Sequence, residues 1–181
     1  MVRIEGEDGV SYEFLNQIDV QEHVEVWEVV EQPAQIPRIV YWAQSPSLPL
    51  GIQTRWKNEL VISQLLPDKG FRKAVRFVSL DKRQALLLEK PHGAALHSTQ
   101  LAQWPLDQTL RVAARVASQL DVIHKQGVIY NGLRPENLVF DPSTGEVVLA
   151  DFGNAGMVSL ESERSYHALS GQFSFRYTSP E

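Results

Sequence analysis

The strongest constraint on the fold lies between Leu106 and Gly153, where a long helical pattern is followed by short apolar segments. From Leu106 to Gln126, apolar residues recur at three- and four-residue steps, and Gly127 is placed to end a helix. Three short apolar segments follow, at residues 128–130, 138–140 and 147–149. The sequence Asp-Pro-Ser-Thr-Gly separates the last two and predicts a hairpin turn. A helix that leads into short paired strands is therefore expected here.

Two polar residues in the same stretch have the chemistry of magnesium ligands. Asn137 closes a tight loop, and Asp151 follows the predicted hairpin. Hard cations such as Mg²⁺ take oxygen ligands beside phosphate groups, and an amide oxygen with a carboxylate on adjacent loops supplies them. Each residue also has a structural interpretation, because Asn137 can hydrogen-bond its own loop and Asp-Phe-Gly occurs by chance in many proteins.

The N-terminal half shows the alternation of apolar and polar residues that predicts half-buried strands. The segments with this pattern or with a short apolar run are Tyr12–Ile18, His23–Val30, Arg38–Ala43, Ala74–Leu80 and Gln84–Glu89. Between the third and the fourth, Thr54–Leu66 has helical spacing, and Pro67 and Gly70 stop the helix. Ser45–Gly51, just before it, is predicted to be a loop because of its prolines and glycine.

These motifs together resemble those of the protein kinases. Pro135-Glu136-Asn137 resembles the end of the family's catalytic loop, and Asp151-Phe152-Gly153 resembles its magnesium-binding motif. Ser179-Pro180-Glu181 resembles the motif that closes the activation segment, and Tyr177 stands where the family often has an aromatic residue. The resemblance covers residues 12–181.

The resemblance implies an α+β, bilobal protein-kinase-like fold. Residues 1–90 would form the N-terminal lobe, with a five-stranded antiparallel sheet and one helix. Residues 91–181 would form the first part of the C-terminal lobe, with the catalytic loop, the Asp-Phe-Gly motif and the activation segment. In the family further helices follow, and Glu181 pairs with an arginine there. The C-terminal lobe is therefore expected to be truncated after the activation segment.

The loop sequences also resemble those of the kinase-like modules at the N-termini of hybrid sensor histidine kinases. The features that carry this narrower resemblance are Asn131 before the catalytic position, the Pro-Glu-Asn motif, the Thr-Gly-Glu turn and the Ser-Pro-Glu motif. The resemblance implies that the partners are other signalling domains or proteins.

Several residues that the kinase reaction uses are replaced. The family's catalytic aspartate lies five residues before Asn137, so Gly132 occupies that position and no catalytic residue is assigned. Glycine has no side chain to accept a proton. Tyr41 stands where the family has a phosphate-binding lysine, and the segment that joins the first two strands, Asp19–Glu22, contains no glycine. Glu59 aligns with the helix glutamate that pairs with that lysine, but without the lysine an exposed surface glutamate is the favoured interpretation.

The resemblance also assigns residues to a nucleotide. Leu88 would be the gatekeeper and Glu89-Lys90-Pro91 the hinge, whose backbone groups can bind adenine whatever their side chains. Arg134 is either a phosphate contact or a structural surface cation, and Asn137 and Asp151 would hold the metal. The expected cofactors are therefore ATP and magnesium, or none.

Composition argues against other functional classes. The net charge of −5 gives no basic field for a nucleic acid. The local basic cluster of Lys69, Arg72, Lys73 and Arg76 is interpreted as a solvated face. The chain has no cysteine, which fits a cytoplasmic protein, and no apolar run approaches the length of a membrane span.

Three functional hypotheses follow. The favoured one is a pseudokinase, a kinase-shaped regulatory or signalling module that lacks the catalytic residues. The second is an active but atypical protein serine/threonine kinase, which uses Asp151 with magnesium and recruits its base from elsewhere. The third is a protein-interaction module without a ligand.

Overall fold

Residues 2–97 and 101–157 are described by the structure, which is a computed structural model. Within these ranges the chain forms a curled antiparallel sheet with one helix, followed by a second helix and short strand pairs, in agreement with the predicted α+β class. No helix in these ranges combines the length and the apolar character needed to cross a membrane.

The first part of the chain forms a six-stranded antiparallel sheet. Its strands are β1 (Val2–Glu5), β2 (Ser11–Gln21), β3 (Val24–Gln32), β4 (Ile36–Ala43), β5 (Ala74–Leu80) and β6 (Arg83–Glu89). They lie in the order β1-β2-β3-β4-β6-β5. Asp81 and Lys82 join the last two strands, and their φ angles of 50° and 60° match the twist of a two-residue hairpin.

The two outer strands of the sheet come together where β1 and β5 end. Gly6, just after β1, forms a bridge with Leu80 at the end of β5. The amide nitrogen of Glu7 donates to the carbonyl oxygen of Ser79 at 3.2 Å. We call this junction the seam.

The sheet buries an apolar cluster on each face. The inner cluster contains Tyr12, Phe14, Val29, Val40, Trp42, Leu80, Ala85 and Leu87. The outer cluster packs against α1 (Leu50–Leu65) and contains Val24, Val26, Ala43, Leu48, Trp56, Ala74, Leu86 and Leu88. Successive side chains of a strand point to opposite faces, so β6 supplies both clusters. This packing fixes α1 against the sheet.

The second part of the chain is built around α2 (Leu106–Lys125), which buries Val112, Val116 and Ile123. The strands that follow or flank it are β7 (Ala94–Ala95), β8 (Val128–Ile129), β9 (Leu138–Asp141), β10 (Glu146–Leu149) and β11 (Gly156–Met157). They form a sheet in the order β10-β9-β7 and a β11-β8 pair. The predicted hairpin between residues 138 and 149 is confirmed.

Three details differ from the sequence-based expectation. Strand β1 was not expected, so the sheet has six strands and not five. Strand β2 continues to Gln21, so Asp19–Glu22 is not a loop, and the turn consists of Glu22 and His23. Helix α1 begins at Leu50, inside the segment expected to be a loop. The division into lobes at residue 90 stays a prediction.

Candidate functional site

Helix α1 brings three polar residues to the segment that begins with Asp151. Glu59 is buried, with 2% of its side chain exposed. Arg55, one turn earlier, places Nη2 at 3.9 Å from Oδ1 of Asp151. Asn58 donates from Nδ2 to the carbonyl oxygen of Gly153 at 3.0 Å. The interpretation of Glu59 as an exposed surface residue is therefore wrong.

The partner of Glu59 is Arg72, which precedes β5. Nη2 of Arg72 lies 3.4 Å from Oε1 of Glu59, and only 8% of the Arg72 side chain is exposed. Lys73 is also buried and donates from Nζ to the carbonyl oxygen of Ser63 near the end of α1, at 2.9 Å. The interpretation of the basic cluster as a solvated face is thus wrong for Arg72 and Lys73.

Tyr41 lies on β4 at the position that the resemblance gives to the phosphate-binding lysine. Its hydroxyl accepts a hydrogen bond of 2.8 Å from Nη2 of Arg72, and the Arg72 guanidinium carbon is 5.5 Å from the centre of the ring. Burial raises the pKa of Tyr41, which keeps the hydroxyl neutral at physiological pH. The strand therefore supplies a neutral polar group, and Arg72 supplies the positive charge.

Backbone pairing holds Arg72 beside Asp151. The amide nitrogen of Arg72 donates to the carbonyl oxygen of Leu149 at 2.8 Å, and the Leu149 amide donates to the carbonyl oxygen of Gly70 at 2.9 Å. Gly70 has a φ of +92°, a left-handed backbone conformation that favours glycine. Asp151 is two residues after Leu149, which brings its carboxylate near the Arg72 guanidinium.

The two predicted magnesium ligands lie together, but donors occupy their contacts. Nδ2 of Asn137 is 3.4 Å from Oδ2 of Asp151 and 2.9 Å from the carbonyl oxygen of Gly132, so the amide presents its NH₂ group to the carboxylate. Nη2 of Arg134 donates to the same Oδ2 at 3.2 Å, and Arg55 faces Oδ1. Magnesium takes oxygen ligands and is repelled by guanidinium groups. This arrangement therefore does not fit a magnesium ion.

Within residues 2–97 and 101–157, no three histidine, cysteine, aspartate or glutamate side chains are grouped so that they could hold a metal ion.

Gly132, at the position predicted for the catalytic base, is closely surrounded. A Cβ atom there would lie 3.1 Å from the carbonyl oxygen of Asp151 and 3.2 Å from two ring carbons of Tyr130. Tyr130 is itself buried, and its hydroxyl donates to the carbonyl oxygen of Ala150. A larger residue at position 132 would therefore require its neighbours to shift.

Phe152 and Gly153 pack this segment against two aromatic residues and against α1. Phe152 is fully buried, and its ring centroid lies 5.2 Å from that of Tyr130 and 6.3 Å from that of Phe71. At Gly153 a Cβ atom would lie 3.2 Å from the carbonyl oxygen of Arg55, so glycine permits the close approach of α1.

The predicted hinge offers few donors to a purine base. Leu88 is completely buried against α1. The amide nitrogen of Glu89 already donates to the carbonyl oxygen of Lys73 at 2.9 Å. Pro91 has no backbone N–H group. Neither Glu89 nor Pro91 can therefore donate a backbone hydrogen bond to a base in this arrangement.

The remaining predicted features are the β2–β3 turn and the C-terminal motif. The turn carries no glycine, and the carboxylates of Asp19 and Glu22 lie at this exposed end of the sheet. Ser179-Pro180-Glu181 and Tyr177 lie outside the described residues.

Sequence reasoning missed Arg55 and Arg72 as members of the site. Arg55 lies four residues before Glu59, and this spacing on one helix face could have identified it. Arg72 gives no comparable local signal, because the contacts that place it are made with β10 and with Tyr41 on β4.

The burial of Glu59 predicts a pH-dependent stability. Burial raises the pKa of Glu59 to about 7 from its ordinary 4.5, although Arg72 favours the charged form. The folded state thus holds this proton more tightly than the unfolded state, and the resulting stabilisation is complete below about pH 4.5 and is lost as the pH rises to about 7. Over this window the free energy of unfolding should fall by about 3 kcal/mol relative to Glu59→Gln. Urea denaturation at several pH values measures this difference, and parallel curves for the two proteins would contradict it.

Comparison with known proteins shows which family the sequence matches. Residues 51–181 match the family described as protein kinase domain. Serine/threonine-protein kinase pkn3 of Myxococcus xanthus is 35% identical over 75 residues, which cover 39% of this chain and 14% of that protein. Probable serine/threonine-protein kinase PknB of Lactococcus lactis is 29% identical over 103 residues, which cover 56% of this chain and 16% of that protein. Serine/threonine-protein kinase SBK2 of Rattus norvegicus is 47% identical over 51 residues, which cover 28% and 14%. The chain thus spans a small part of the length of these relatives.

Proposed function

This chain belongs to the protein kinase domain family, and on that premise we propose that it is a non-catalytic, kinase-like regulatory module of a signalling protein. The relatives named above are serine/threonine-protein kinases. The fold is retained here, whereas the chemistry of phosphoryl transfer is not.

The observation that carries this proposal is the surroundings of Gly132. It lies five residues before Asn137, at the position predicted for the base that accepts the proton of the substrate hydroxyl. The Asp151 carbonyl and the Tyr130 ring leave little space for a side chain there. General-base assistance contributes about 10²–10⁴ to a rate, and a glycine contributes none of it.

The charges around the Asp-Phe-Gly motif support the same proposal. In the family a magnesium ion at this aspartate neutralises the transferred phosphate. Here the Asp151 carboxylate contacts the guanidinium groups of Arg134 and Arg55. Tyr41 replaces the lysine on β4, and the ion pair with Glu59 is formed by Arg72, which lies just before β5.

The partners of such a module would be other signalling domains or proteins, in the same chain or in another. The resemblance of the loops to hybrid sensor histidine kinases makes a histidine-kinase partner the specific form of this proposal, with a cytoplasmic location. Reading the adjacent coding sequence tests it, since the absence of sensor and histidine-kinase domains there would refute this narrower form.

The chain is expected to transfer no phosphate from Mg-ATP to a generic serine/threonine substrate above the background given by Asp151→Asn. Gly132→Asp alone should remain at that background. The new side chain would be crowded by the Tyr130 ring, and Asp151 would still be paired with Arg134. Incorporation of labelled phosphate measures both proteins.

A competent kinase in the same assay serves as the positive control, and circular dichroism verifies that each variant is folded. If the unaltered chain transferred phosphate at more than about tenfold the Asp151→Asn background, the non-catalytic function would be refuted. A chain without a base should lose about 10²–10⁴ in rate relative to a competent kinase and should therefore stay near that background.

A further inference from the structure

One segment of the chain holds much of the negative charge. Residues 4–37 contain nine of the 22 acidic residues and none of the 17 lysines and arginines. The acidic residues are Glu5, Glu7, Asp8, Glu13, Asp19, Glu22, Glu25, Glu28 and Glu31. The rest of the chain therefore carries a net positive charge, and the negative charge is concentrated in the segment that forms β1, β2 and β3.

Ion pairs balance some of these carboxylates but not those at the β2–β3 turn. The carboxylates that pair with arginine or lysine side chains elsewhere in the chain are those of Asp8, Glu28 and Glu31. Around the turn lie Asp19, Glu22 and Glu25, and among the residues that the structure describes no lysine or arginine pairs with them. We call residues 15–25, which contain this turn, the acidic hairpin.

Neutral donors hold two of the three carboxylates of the acidic hairpin. Asp19 accepts hydrogen bonds from the Val20 amide at 2.8 Å and from Nε2 of Gln21 at 3.2 Å. Glu25 accepts one from Nε1 of Trp27 at 2.8 Å. These bonds orient the carboxylates without balancing their charge, so a cationic group from another molecule would meet acceptors that are already in place.

The acidic hairpin also exposes large apolar side chains. Strand β1 pairs only with Ser11–Phe14, and every residue of β2 beyond Phe14 is exposed. Among these, Leu15, Ile18 and Val20 are 39%, 50% and 58% exposed. Exposed apolar side chains bordered by polar residues are typical of protein interaction surfaces.

The charge of the acidic hairpin decides which class of molecule fits it. Nucleic acids and anionic membranes are themselves negatively charged and are repelled. A second copy of this chain that docked hairpin to hairpin would bring like charges together, which is unfavourable. A protein segment that combines lysine or arginine with apolar side chains complements both the carboxylates and the apolar groups.

We propose that the acidic hairpin is the docking surface for a basic and apolar segment of a partner protein. The proposal rests on the proposed regulatory function, because a regulatory module requires a partner. It adds which part of this molecule binds and which chemistry the partner presents. Cationic side chains of the segment pair with the three carboxylates, and its apolar side chains cover the exposed part of β2.

Fluorescence anisotropy of the 181-residue chain with a short labelled peptide, in which lysine alternates with leucine, tests the proposal. The peptide should bind, and binding should weaken as salt is added, because salt screens exposed charges. A peptide with glycine in place of leucine should bind about tenfold more weakly or less. No binding of the lysine–leucine peptide, or equal binding of both peptides, would overturn the proposal.

Variants of the acidic hairpin locate the binding site. Neutralisation of the carboxylates in the triple variant Asp19→Asn, Glu22→Gln, Glu25→Gln should weaken binding of the lysine–leucine peptide by roughly tenfold or more. The double variant Ile18→Thr, Val20→Thr keeps branched side chains on the strand and should weaken binding by a similar factor. Circular dichroism verifies that both proteins are folded.

Matched controls remove the same groups from other exposed positions. The triple variant Asp68→Asn, Asp107→Asn, Asp121→Asn removes the same charge, and Leu106→Gln with Leu110→Gln removes two exposed apolar side chains from α2. Both controls should bind the peptide as the unaltered chain does. If they weaken binding as much as the hairpin variants do, the peptide responds to overall charge or hydrophobicity and the hairpin is not the site.

Sedimentation velocity distinguishes a partner protein from a second copy. The unaltered chain and the hairpin triple variant should sediment alike, whereas self-association that the triple variant abolishes would assign the hairpin to a second copy and contradict the proposal. None of these measurements depends on phosphate transfer. Their failure would therefore exclude the docking surface and leave the transfer assay to decide on catalysis.

Discussion

Replacement of Arg72 by alanine is expected to lower the free energy of unfolding by about 3–5 kcal/mol, the range for removing one partner of a buried ion pair. The variant leaves Glu59 buried without its partner and removes the donor to the Tyr41 hydroxyl. Domains of this size are stable by about 5–15 kcal/mol, so this loss is a large fraction of the total. Urea denaturation followed by tryptophan fluorescence measures it.

A matched control and a double variant identify the cause. Arg111→Ala removes an arginine from an exposed helix pair and should cost less than about 1 kcal/mol. Arg72→Met combined with Glu59→Leu replaces the buried pair by apolar side chains and should recover most of the loss. If Arg72→Ala costs no more than Arg111→Ala, the buried pair with Glu59 does not stabilise the domain.

Replacement of Phe152 by alanine should cost about 3–5 kcal/mol, the range for a fully buried aromatic residue. The Phe152 ring lies between those of Tyr130 and Phe71 and is completely excluded from solvent. Its loss leaves a cavity where the Asp-Phe-Gly segment meets the core of the second part of the chain. The midpoint of urea denaturation should fall accordingly.

Phe77→Ala provides the comparison for Phe152, because Phe77 lies on β5 and is 40% exposed. It should cost clearly less, and Phe152→Leu should lie between the two, since leucine fills part of the cavity. A Phe152→Ala chain as stable as Phe77→Ala would show that the aromatic packing at this segment contributes little.

Much of the fold could be predicted from local patterns. Apolar residues at helical spacing predict α2. Apolar segments on both sides of a charged turn predict β5 and β6. Strand β1 could not be predicted in the same way. It has only four residues, Val2–Glu5, and it exists because β2 pairs with it.

The candidate site could be predicted only in part, for a physical reason. Asn137 and Asp151 are predictable as neighbours because each lies within a compact motif, and their side chains do meet. The absence of a lysine on β4 predicts that Glu59 has no partner and is exposed, but the cation comes from Arg72 on another element. Which element supplies the cation for Glu59 depends on tertiary contacts, and no local sequence pattern encodes these.

The seam between Gly6 and Leu80 has a consequence for how the sheet meets other molecules. A sheet that ends in two open edges presents rows of unpaired amide and carbonyl groups, onto which a strand of a second molecule can add. The backbone groups of Glu7 and Ser79 are hydrogen-bonded to each other, so they cannot pair with an added strand at this point. Any protein that docks at the seam must therefore recognise side chains rather than extend the ladder.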